Sequence, residues 1–285
     1  MKEKVIRLIL LISAFVSILF LCGITITLFT QSLPIFKEIN IFKFIFGTHW
    51  YPTHYPPDFG ILPLIVGTLI VTLGTLIVAV PLGVGTAIYI SEVAPHKIKE
   101  ILKPIVELLA SVPSVIYGLF GMVFLAPLVQ KVFNVPIGLN AFTASIILGM
   151  MALPTVASIA EDAIASVPRS LREASFALGA TKWETITKAV VPAASSGIIA
   201  SIILGLGRAI GETMTVLMVA GGAAQIPDSI FDPVRTMTAT IAAEMGEAPI
   251  GSMHYQALFA IALVLFFITL GFNLLADWLS HRRKV

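Results

Sequence analysis

The sequence predicts an all-α integral membrane protein with six transmembrane helices. Of its 285 residues, 57% are hydrophobic and only 12% are charged, and the mean hydropathy is +0.97. A soluble domain of this length would carry about twice that charged fraction. Six apolar runs, each long enough to cross a bilayer, are separated by polar intervals. The lipid bilayer is therefore the expected environment of the chain.

The apolar runs are expected to cross the membrane one after another. The first follows three basic residues, exceeds the length of a signal-peptide core and is not followed by a small-residue cleavage site, so we expect it to be retained. The predicted spans are residues 5–33, 61–90, 105–129, 141–165, 193–220 and 255–279. This pattern indicates a multi-pass protein of the cell membrane.

The distribution of lysine and arginine predicts the orientation of the spans. Thirteen of these residues lie on the side of the amino terminus, four lie on the opposite side, and Arg208 lies within a span. Because basic residues accumulate on the cytoplasmic side, both termini are expected to be cytoplasmic. The thirteen are Lys2, Lys4, Arg7, Lys97, Lys99, Lys103, Arg169, Arg172, Lys182, Lys188, Arg282, Arg283 and Lys284, and the four are Lys37, Lys43, Lys131 and Arg235.

Two long intervals are expected on the external face. Residues 35–60 are rich in aromatic side chains and prolines, which predicts irregular backbone and either a collar at the membrane interface or a docking surface. These residues are Trp50, Tyr51, Tyr55 and Phe59, with Pro52, Pro56 and Pro57. Residues 221–253 contain a helix candidate at 234–245, and this interval could either meet an extracytoplasmic partner or fold back as a gate.

A polar interval at residues 169–192 is predicted to form a helix, a turn and a second helix on the cytoplasmic face. Apolar and charged residues recur at helical spacing on both sides of Gly179, and glycine can adopt the positive φ that such a turn requires. Pro192 then marks the next helix. A helix pair held against water in this way is expected to dock another protein. An ordinary cytoplasmic linker is the alternative.

Two ionisable residues in the fifth predicted span are the candidates for chemistry. Arg208 and Glu212 lie four residues apart in an apolar run, a spacing that predicts one shared helical face. Charged side chains at membrane depth cost at least a few kcal/mol and usually face a bundle interior or a wet cavity. A guanidinium suits the oxygens of a tetrahedral oxyanion. The alternative is a structural ion pair within one helix, with Gly207 and Gly211 packing against a neighbouring helix.

The remaining polar residues predict no catalytic, cofactor or metal site. No P-loop motif occurs, the single Cys22 lies inside the first span, and the five histidines lack ligand spacing. Three carboxylates near the cytoplasmic ends of spans, Glu107, Glu161 and Asp162, are expected to pair with basic loop residues. A net charge of +2 without a basic stripe gives no indication of nucleic-acid binding.

The interval at 169–192 resembles the EAA loop of ABC importer permeases. The glutamate, the first alanine, the glycine and the proline of that pattern match at the right spacing, and the other pattern positions hold small or apolar residues. The pattern falls on Glu173, Ala174, Ser175, Gly179, Ala189, Val191 and Pro192. The resemblance implies coupling helices that sit in a groove of a separate ATPase subunit. The residues assigned to this contact are Glu173, Ala174, Gly179, Trp183 and Pro192.

Longer stretches resemble the permeases of phosphate-specific ABC transport systems. They are FGILPLIVGTLIVT at 59–72, SVPSVIYGLFG at 111–121, residues 152–186, GRAIGETMTVLMVAG at 207–221 and TATIAAEMGEA at 238–248. The last two are nearer to the C-type subunit than to its A-type partner. The resemblance implies the six-span type I ABC importer permease (MetI-like) fold, with Arg208 and Glu212 matching the intramembrane arginine and glutamate of the family.

The same resemblance implies a phosphate importer with four kinds of component. This chain would pair with an A-type permease subunit as a heterodimer, and would work with two copies of a cytoplasmic ATP-binding subunit and an extracytoplasmic phosphate-binding protein. ATP hydrolysis would belong to the separate subunit, so the chain itself is not expected to be an enzyme. Residues 1–58 are expected to form the first span with its external loop, and residues 59–285 the permease domain.

Two alternatives to phosphate import follow from the same residues. The cargo could be another oxyanion, such as molybdate, sulfate or a phosphonate. The chain could also be an ion-coupled secondary transporter. That class predicts internal inverted repeats and interrupted helices in matching halves, and neither is visible in the sequence.

Overall fold

The computed structural model describes residues 2–282, with the side chains of residues 6–275 and of Trp278. This part of the chain is helical apart from one short hairpin and the connections. The elements are α1 (Lys2–Ser32), α2 (Ile35–Glu38), α3 (Ile41–Phe46), β1 (Trp50–Tyr51), β2 (Asp58–Phe59), α4 (Leu62–Ile88), a π-helical turn (Tyr89–Val93), α5 (His96–Ala110), α6 (Ser114–Phe120), a π-helical turn (Gly121–Leu125), α7 (Ala126–Phe133), α8 (Ala141–Ala165), α9 (Arg169–Ala177), α10 (Lys182–Thr185), a π-helical turn (Ile186–Val190), α11 (Val191–Ala193), α12 (Ser195–Gly211), α13 (Met214–Val219), α14 (Met237–Glu244) and α15 (Met253–Arg282).

The number of membrane spans depends on one bent segment. Five of the described helices are long and apolar enough to cross a membrane, and a sixth is reached if Lys182–Ala193 and Ser195–Gly211 count as one span. These two helices meet at an angle of 69°. The predicted six spans are therefore found when the bent pair is included.

Helices α4 and α8 pack closely at the centre of the bundle. A Cβ added at Gly74 would lie 2.3 Å from Oγ of Ser145, and one added at Gly149 would lie 2.7 Å from the side chain of Val78. Glycine at these positions lets the two helix backbones approach, which is a common basis of helix association in membranes. The predicted span 141–165 coincides with α8, whose start is capped because Asn140 accepts a hydrogen bond from the backbone N–H of Thr143 at 2.9 Å.

The third predicted span, residues 105–129, was placed too early. The structure has an amphipathic helix, α5, and an apolar span at Ser114–Phe133. Pro113 separates them, because a proline disfavours helical backbone at the residue before it and Pro113 itself has ψ 138. Hydropathy alone did not reveal this interruption, since residues on both sides of it are apolar.

An ion-pair cluster fixes α5 to the carboxyl end of α8. Glu161 is only 1% exposed, and its carboxylate lies 2.8 Å from Nζ of Lys99 and 2.6 Å from Nζ of Lys103. Lys103 also pairs with Asp162 at 2.6 Å. Hydrogen bonds to Asp162 and then to Glu161 raise the pKa of Lys103 above its usual value. The predicted pairing is confirmed for Glu161 and Asp162, but it is wrong for Glu107, which is exposed and forms no ion pair with a described residue.

The three π-helical turns share a relation to proline. Each ends two residues before a proline: Val93 before Pro95, Leu125 before Pro127, and Val190 before Pro192. A proline cannot donate a hydrogen bond to the carbonyl four residues earlier, and its ring crowds that carbonyl. A wider turn relieves this conflict, and the helix continues through Pro127 and Pro192, whereas it ends at the extended Ala94 before Pro95.

Residues 35–60 are more deeply packed than the sequence predicted. Trp50 and Phe59 are each 3% exposed and face each other across the hairpin of β1 and β2. They belong to a core cluster that also contains Leu258 of α15. Trp50 and Phe59 are therefore buried within the protein, because this segment folds back onto the last span, whereas Tyr51 and Tyr55 are exposed; the collar and the docking surface stay predictions. The expected helix at 234–245 is found as α14.

Glu244 of α14 joins three segments of the chain beside the hairpin of β1 and β2. Its carboxylate accepts hydrogen bonds from Nε1 of Trp50 at 3.0 Å and from Nη1 of Arg235 at 2.6 Å, and it lies 2.8 Å from Nε2 of His254. Three separate segments therefore converge on one half-buried carboxylate.

We expect Glu244→Ala to destabilise the folded chain by roughly 1–3 kcal/mol, because it leaves buried or half-buried donors without their acceptor. Thermal unfolding of the purified protein in detergent would measure this loss. Glu247→Ala is the matched control, since Glu247 is exposed and forms no ion pair among the described residues. Equal stability of the two variants would contradict the role given to Glu244.

Candidate functional site

Arg208 lies at a junction of three helices. It occupies the last turn of α12, and its half-buried guanidinium reaches α8 and the end of α5. Nη1 donates to Oγ1 of Thr155 at 2.9 Å, and Nη1 and Nη2 each lie 3.4 Å from the carbonyl oxygen of Ala110. The carboxyl end of a helix carries partial negative charge, so α5 presents its favourable end to this cation.

Two helix interruptions face each other beside Arg208. Helix α12 ends at Gly211 and α13 begins at Met214, while α5 ends at Ala110 and α6 begins at Ser114. A hydrogen bond of 3.0 Å from Oγ1 of Thr215 to the carbonyl of Ser114 joins the two interruptions. Non-helical backbone at membrane depth is tolerated only where it is buried in protein or lines a water-filled cavity. The junction therefore has the backbone character of a solute pathway.

The predicted helical face shared by Arg208 and Glu212 is wrong. Glu212 lies just beyond the helix in extended conformation, with φ −70 and ψ 131, so the four-residue spacing no longer aligns the two side chains. Its Oε1 instead accepts from the backbone N–H of Thr215 at 3.1 Å, and its carbonyl accepts from Oγ1 of Thr238 at 2.8 Å. No ion pair joins Arg208 to Glu212 in the described part of the chain.

The alternative explanation of a structural ion pair within one helix is wrong, and its glycine packing face has no partner among the described residues of this chain. Besides the missing ion pair, no atom of another element lies within 4 Å of a Cβ added at Gly207 or Gly211. Both glycines are exposed along with Leu204 of α12 and with Met214 and Leu217 of α13. This stripe, at 204, 207, 211, 214 and 217, is left uncovered by the chain itself.

The guanidinium of Arg208 keeps the capacity to bind an anion. Its contacts with Thr155 and Ala110 use at most three of its five N–H groups. Among the described residues it has no carboxylate partner, so its positive charge is uncompensated by an ion pair. The hydroxyl of Tyr117 donates to the carbonyl of Leu109 at 3.0 Å, and Tyr117 is an electrostatic neighbour of the Arg208 guanidinium. A planar fork of donors at such a place fits the oxygens of an oxyanion.

Sequence reasoning found Arg208 but missed Thr155, which accepts its hydrogen bond, and the residues Tyr117 and Thr215 of the helices that follow the two interruptions. Thr155, Tyr117 and Thr215 carry no charge and look like ordinary polar residues of membrane helices. Two sequence signals were available. Pro113 marks the interruption before α6, and Pro154 directly precedes Thr155. Pro113, a proline within an apolar run, was therefore the sequence signal for the helix interruption beside Arg208.

The predicted helix, turn and helix at 169–192 are confirmed. Helix α9 ends before Gly179, which has φ +83, and α10 begins with a capping box in which Thr181 and Glu184 satisfy each other's backbone N–H groups. A hydrogen bond of 2.9 Å between the hydroxyls of Ser175 and Thr185 fixes the angle between the two helices. Gly179 is thus required by the backbone conformation of the turn.

The two halves of this loop differ in how they are anchored. On the second half, Ile186 and Val190 are buried, and Val190 packs in a cluster with Ile164 of α8 and Ala87 of α4. On the first half, no residue of α9 is buried. A cleft of about 490 Å³ lies between the halves, lined by Leu171, Ala174, Ser175, Leu178, Gly179, Ala180, Glu184, Lys188 and Ala189.

The outer surface of this loop is unusually apolar for a surface in water. Leu178 is 90% exposed, Trp183 is 66% exposed, and Phe176 is also exposed. Glu173 and Ala174 lie, like Phe176, on α9, and both are exposed. Clustered exposed apolar side chains of this kind mark sites of protein association. The geometry therefore favours the docking interpretation over a plain linker.

A family model and several known proteins match this chain. The model, described as "Binding-protein-dependent transport system inner membrane component", matches residues 79–285. The probable ABC transporter permease protein YqgH of Bacillus subtilis is 40% identical over 281 residues, which cover 98% of this chain and 91% of that protein. The phosphate transport system permease protein PstC of Mesorhizobium japonicum is 35% identical, covering 95% and 87%. PstC of Haemophilus influenzae is 36% identical, covering 80% and 77%.

Two solved structures resemble this chain in fold. A bacterial alginate ABC transporter, solved in complex with an alginate pentasaccharide-bound periplasmic protein, matches with a TM-score of 0.71 and 18% identity over 100% of this chain and 96% of its own. The MetNI methionine ABC transporter, in an inward-facing conformation, matches with a TM-score of 0.59 and 19% identity over 79% of this chain and 95% of its own. Both likenesses confirm the predicted fold.

Proposed function

The chain belongs to the family of binding-protein-dependent transport system inner membrane components, and from this membership we propose that it is the transmembrane permease subunit of an ATP-driven phosphate importer. The observation that carries the substrate class is Arg208, a half-buried cation that has no ion pair with any described residue and lies at the junction of two interrupted helices. Relatives named as phosphate transport permeases, which match over most of the chain, support phosphate within that class.

Arg208 acts on the anion through charge and geometry. A phosphate dianion that leaves water loses hydration, and a fixed guanidinium in a low-dielectric path offsets part of that loss. Its unused N–H groups donate to phosphate oxygens, while Thr155 holds the guanidinium in place. Glu212, held by Thr215 beyond the helix end, leaves the cation open to the anion. Its negative charge nearby keeps the binding weak enough for release.

A second permease subunit, of the A type, completes the pathway. The uncovered stripe at 204, 207, 211, 214 and 217 lies on α12, which carries Arg208, and on α13, and the apolar face of α6 and α7 next to it is also exposed. A solute path needs walls on all sides, and this chain supplies one side of the junction. A heterodimer closes the other side and covers the stripe.

The loop at 169–192 docks a cytoplasmic ATP-binding subunit. Its exposed apolar residues and its cleft supply the contact, with Glu173, Ala174, Gly179, Trp183 and Pro192 in or beside the docked surface. ATP hydrolysis takes place on that subunit, of which two copies are present. Closure of the ATPase pair moves the loop, and the spans open outward to receive phosphate from an extracytoplasmic binding protein. The excess of lysine and arginine on the amino-terminal side supports cytoplasmic termini.

Reconstitution of the complete complex in liposomes tests the substrate and the energy source together. We expect ATP-dependent uptake of radiolabelled phosphate that excess unlabelled phosphate abolishes and that equal concentrations of molybdate, sulfate or methylphosphonate leave nearly unchanged. The matched control is the complex without its ATP-binding subunit, which should take up none. Stronger competition by one of the other anions would assign that anion as the cargo.

Accumulation of phosphate by this chain alone, driven by a proton or sodium gradient, would instead show a secondary transporter. The interrupted helices beside Arg208 are a feature that such carriers also have. Dependence on the ATP-binding subunit is therefore the decisive measurement.

A further inference from the structure

Arg172 joins the exposed coupling helix to two membrane spans. Its guanidinium contacts the carboxylate of Glu92 through Nε and Nη2, while Nη2 also donates to the carbonyl of Ile164 at 3.0 Å and Nη1 to the carbonyl of Val167 at 2.5 Å. Glu92 lies in the π-helical turn that extends α4, and Ile164 lies at the end of α8. One side chain therefore connects α9, α4 and α8.

The contact between Arg172 and Glu92 is well shielded from water, and no side chain of α9 other than Arg172 forms a direct hydrogen bond to these spans among the described residues. The side chains of Arg172 and Glu92 are 19% and 11% exposed, so their charge pair is largely removed from water. Among the described residues, Arg172 is the only side chain of α9 that hydrogen-bonds to α4, its π-helical extension or α8. Because α9 buries no residue of its own, this arginine is its direct side-chain link to these spans, beside the hydrogen bond between Ser175 and Thr185 that joins α9 to α10.

Helix α8 connects the surroundings of Arg172 with those of Arg208. Ile164, which accepts a hydrogen bond from Arg172, and Thr155, which accepts one from Arg208, lie on the same helix. They are separated by about two and a half turns, roughly 14 Å along the axis. Between these two residues α8 packs closely against α4, since a Cβ added at Gly83 would lie 2.9 Å from the side chain of Val156, and Ala157 and Ala160 are buried. A displacement at one arginine is therefore passed to the surroundings of the other.

We propose that Arg172 and Glu92 form the link that transmits movement of the coupling loop to the spans around Arg208. They act as positioning residues and contact neither ATP nor the transported anion. The π-helical turn that carries Glu92 gives this end of α4 a backbone that can change its hydrogen-bond register. The proposal rests on the proposed function of the chain as an ATP-driven permease.

The test measures phosphate taken up per ATP hydrolysed by the complete reconstituted complex. We expect Arg172→Gln and Glu92→Gln each to lower this ratio at least about fivefold, within the range of coupling effects between sites. The double variant should be no worse than either single variant, because both changes remove the same link. The ATP-binding subunit should still co-purify, since the exposed contact surface is unchanged.

Two further variants separate transmission from general damage. Lys97→Gln removes an exposed cytoplasmic cation of α5 that has no ion pair among the described residues, and it should keep the wild-type ratio. Arg172→Lys keeps the charge but cannot reach Glu92 and both carbonyls at once, so it should remain poorly coupled. A merely structural role would lower the yield of complex and leave the ratio of the surviving complex unchanged.

Each possible result either supports or overturns the proposed role of Arg172 and Glu92. A wild-type ratio in assembled Arg172→Gln and Glu92→Gln complexes would overturn the proposal. If Arg172→Gln fails to assemble, Glu92→Gln decides alone, because Glu92 lies outside the docked loop. A wild-type complex that hydrolyses ATP but takes up no phosphate would overturn the proposed function and this inference with it. Normal wild-type uptake with unaltered variants overturns only the inference.

Discussion

Arg208→Gln is expected to reduce ATP-dependent phosphate uptake by at least roughly 100-fold. A pair of opposite charges 4 Å apart is worth about 4 kcal/mol at an effective dielectric constant of 20. A difference of 1.4 kcal/mol is a factor of ten, so losing even most of this interaction with the anion gives about two to three orders of magnitude. Uptake of radiolabelled phosphate by the reconstituted complex would measure the loss.

The same variant should leave the complex assembled. Glutamine preserves a donor for Thr155, and Arg208 makes no ion pair among the described residues whose loss would unfold the junction. ATP hydrolysis in detergent and co-purification of the ATP-binding subunit should therefore be close to wild type. Lys131→Gln, at an exposed cation on α7, is the control for loss of one positive charge. Unchanged uptake in Arg208→Gln would remove this residue from the pathway.

Arg208→Lys separates charge from shape. An ammonium keeps the positive charge but cannot offer a planar fork, so uptake should fall by an intermediate factor of roughly 10. If Lys restored full uptake, the site would need only a cation, and recognition of two oxygens at once would be excluded.

The spans could be predicted because lipid imposes a composition on the chain. A segment such as α8 must satisfy its backbone internally and present apolar side chains, and both requirements are visible in the run from Ala141 to Ala165. Interruptions are harder to see, since apolar residues on both sides of Pro113 satisfy the same hydropathy criterion. The third span was therefore misplaced, and the break after Gly211 went unnoticed.

The site could be predicted only in part for a related reason. A charge such as Arg208 stands out in an apolar run, whereas its partners come from segments that are distant in sequence. Arg172 and Glu92 illustrate this limit, because each is an ordinary charged residue near a span end until folding brings them together. Trp50 is another case, since nothing local distinguishes a ring buried against α15 from one at the membrane interface.

Gly179→Val is expected to weaken binding of the ATP-binding subunit and to lower phosphate uptake by roughly 5- to 150-fold. The backbone at Gly179 has φ +83, and a β-branched residue there is a strained outlier that costs about 1–3 kcal/mol. A cost of about 1–3 kcal/mol corresponds to the roughly 5- to 150-fold loss that is expected. Co-purification of the ATP-binding subunit and uptake by reconstituted complex would measure both effects.

The strain in Gly179→Val must arise from backbone conformation rather than from collision, because no atom lies within 4 Å of a Cβ added at this position. Relief of that strain rotates α9 against α10, pulls Ser175 away from Thr185 and moves Glu173 out of the docked surface. Gly179→Asn should be much milder, since asparagine tolerates positive φ. Gly246→Val, at an external glycine without positive φ and without neighbours within 4 Å, should have no effect on either measurement. If Val and Asn at 179 behaved alike, the turn conformation would not control docking, and the exposed apolar side chains alone would have to explain it.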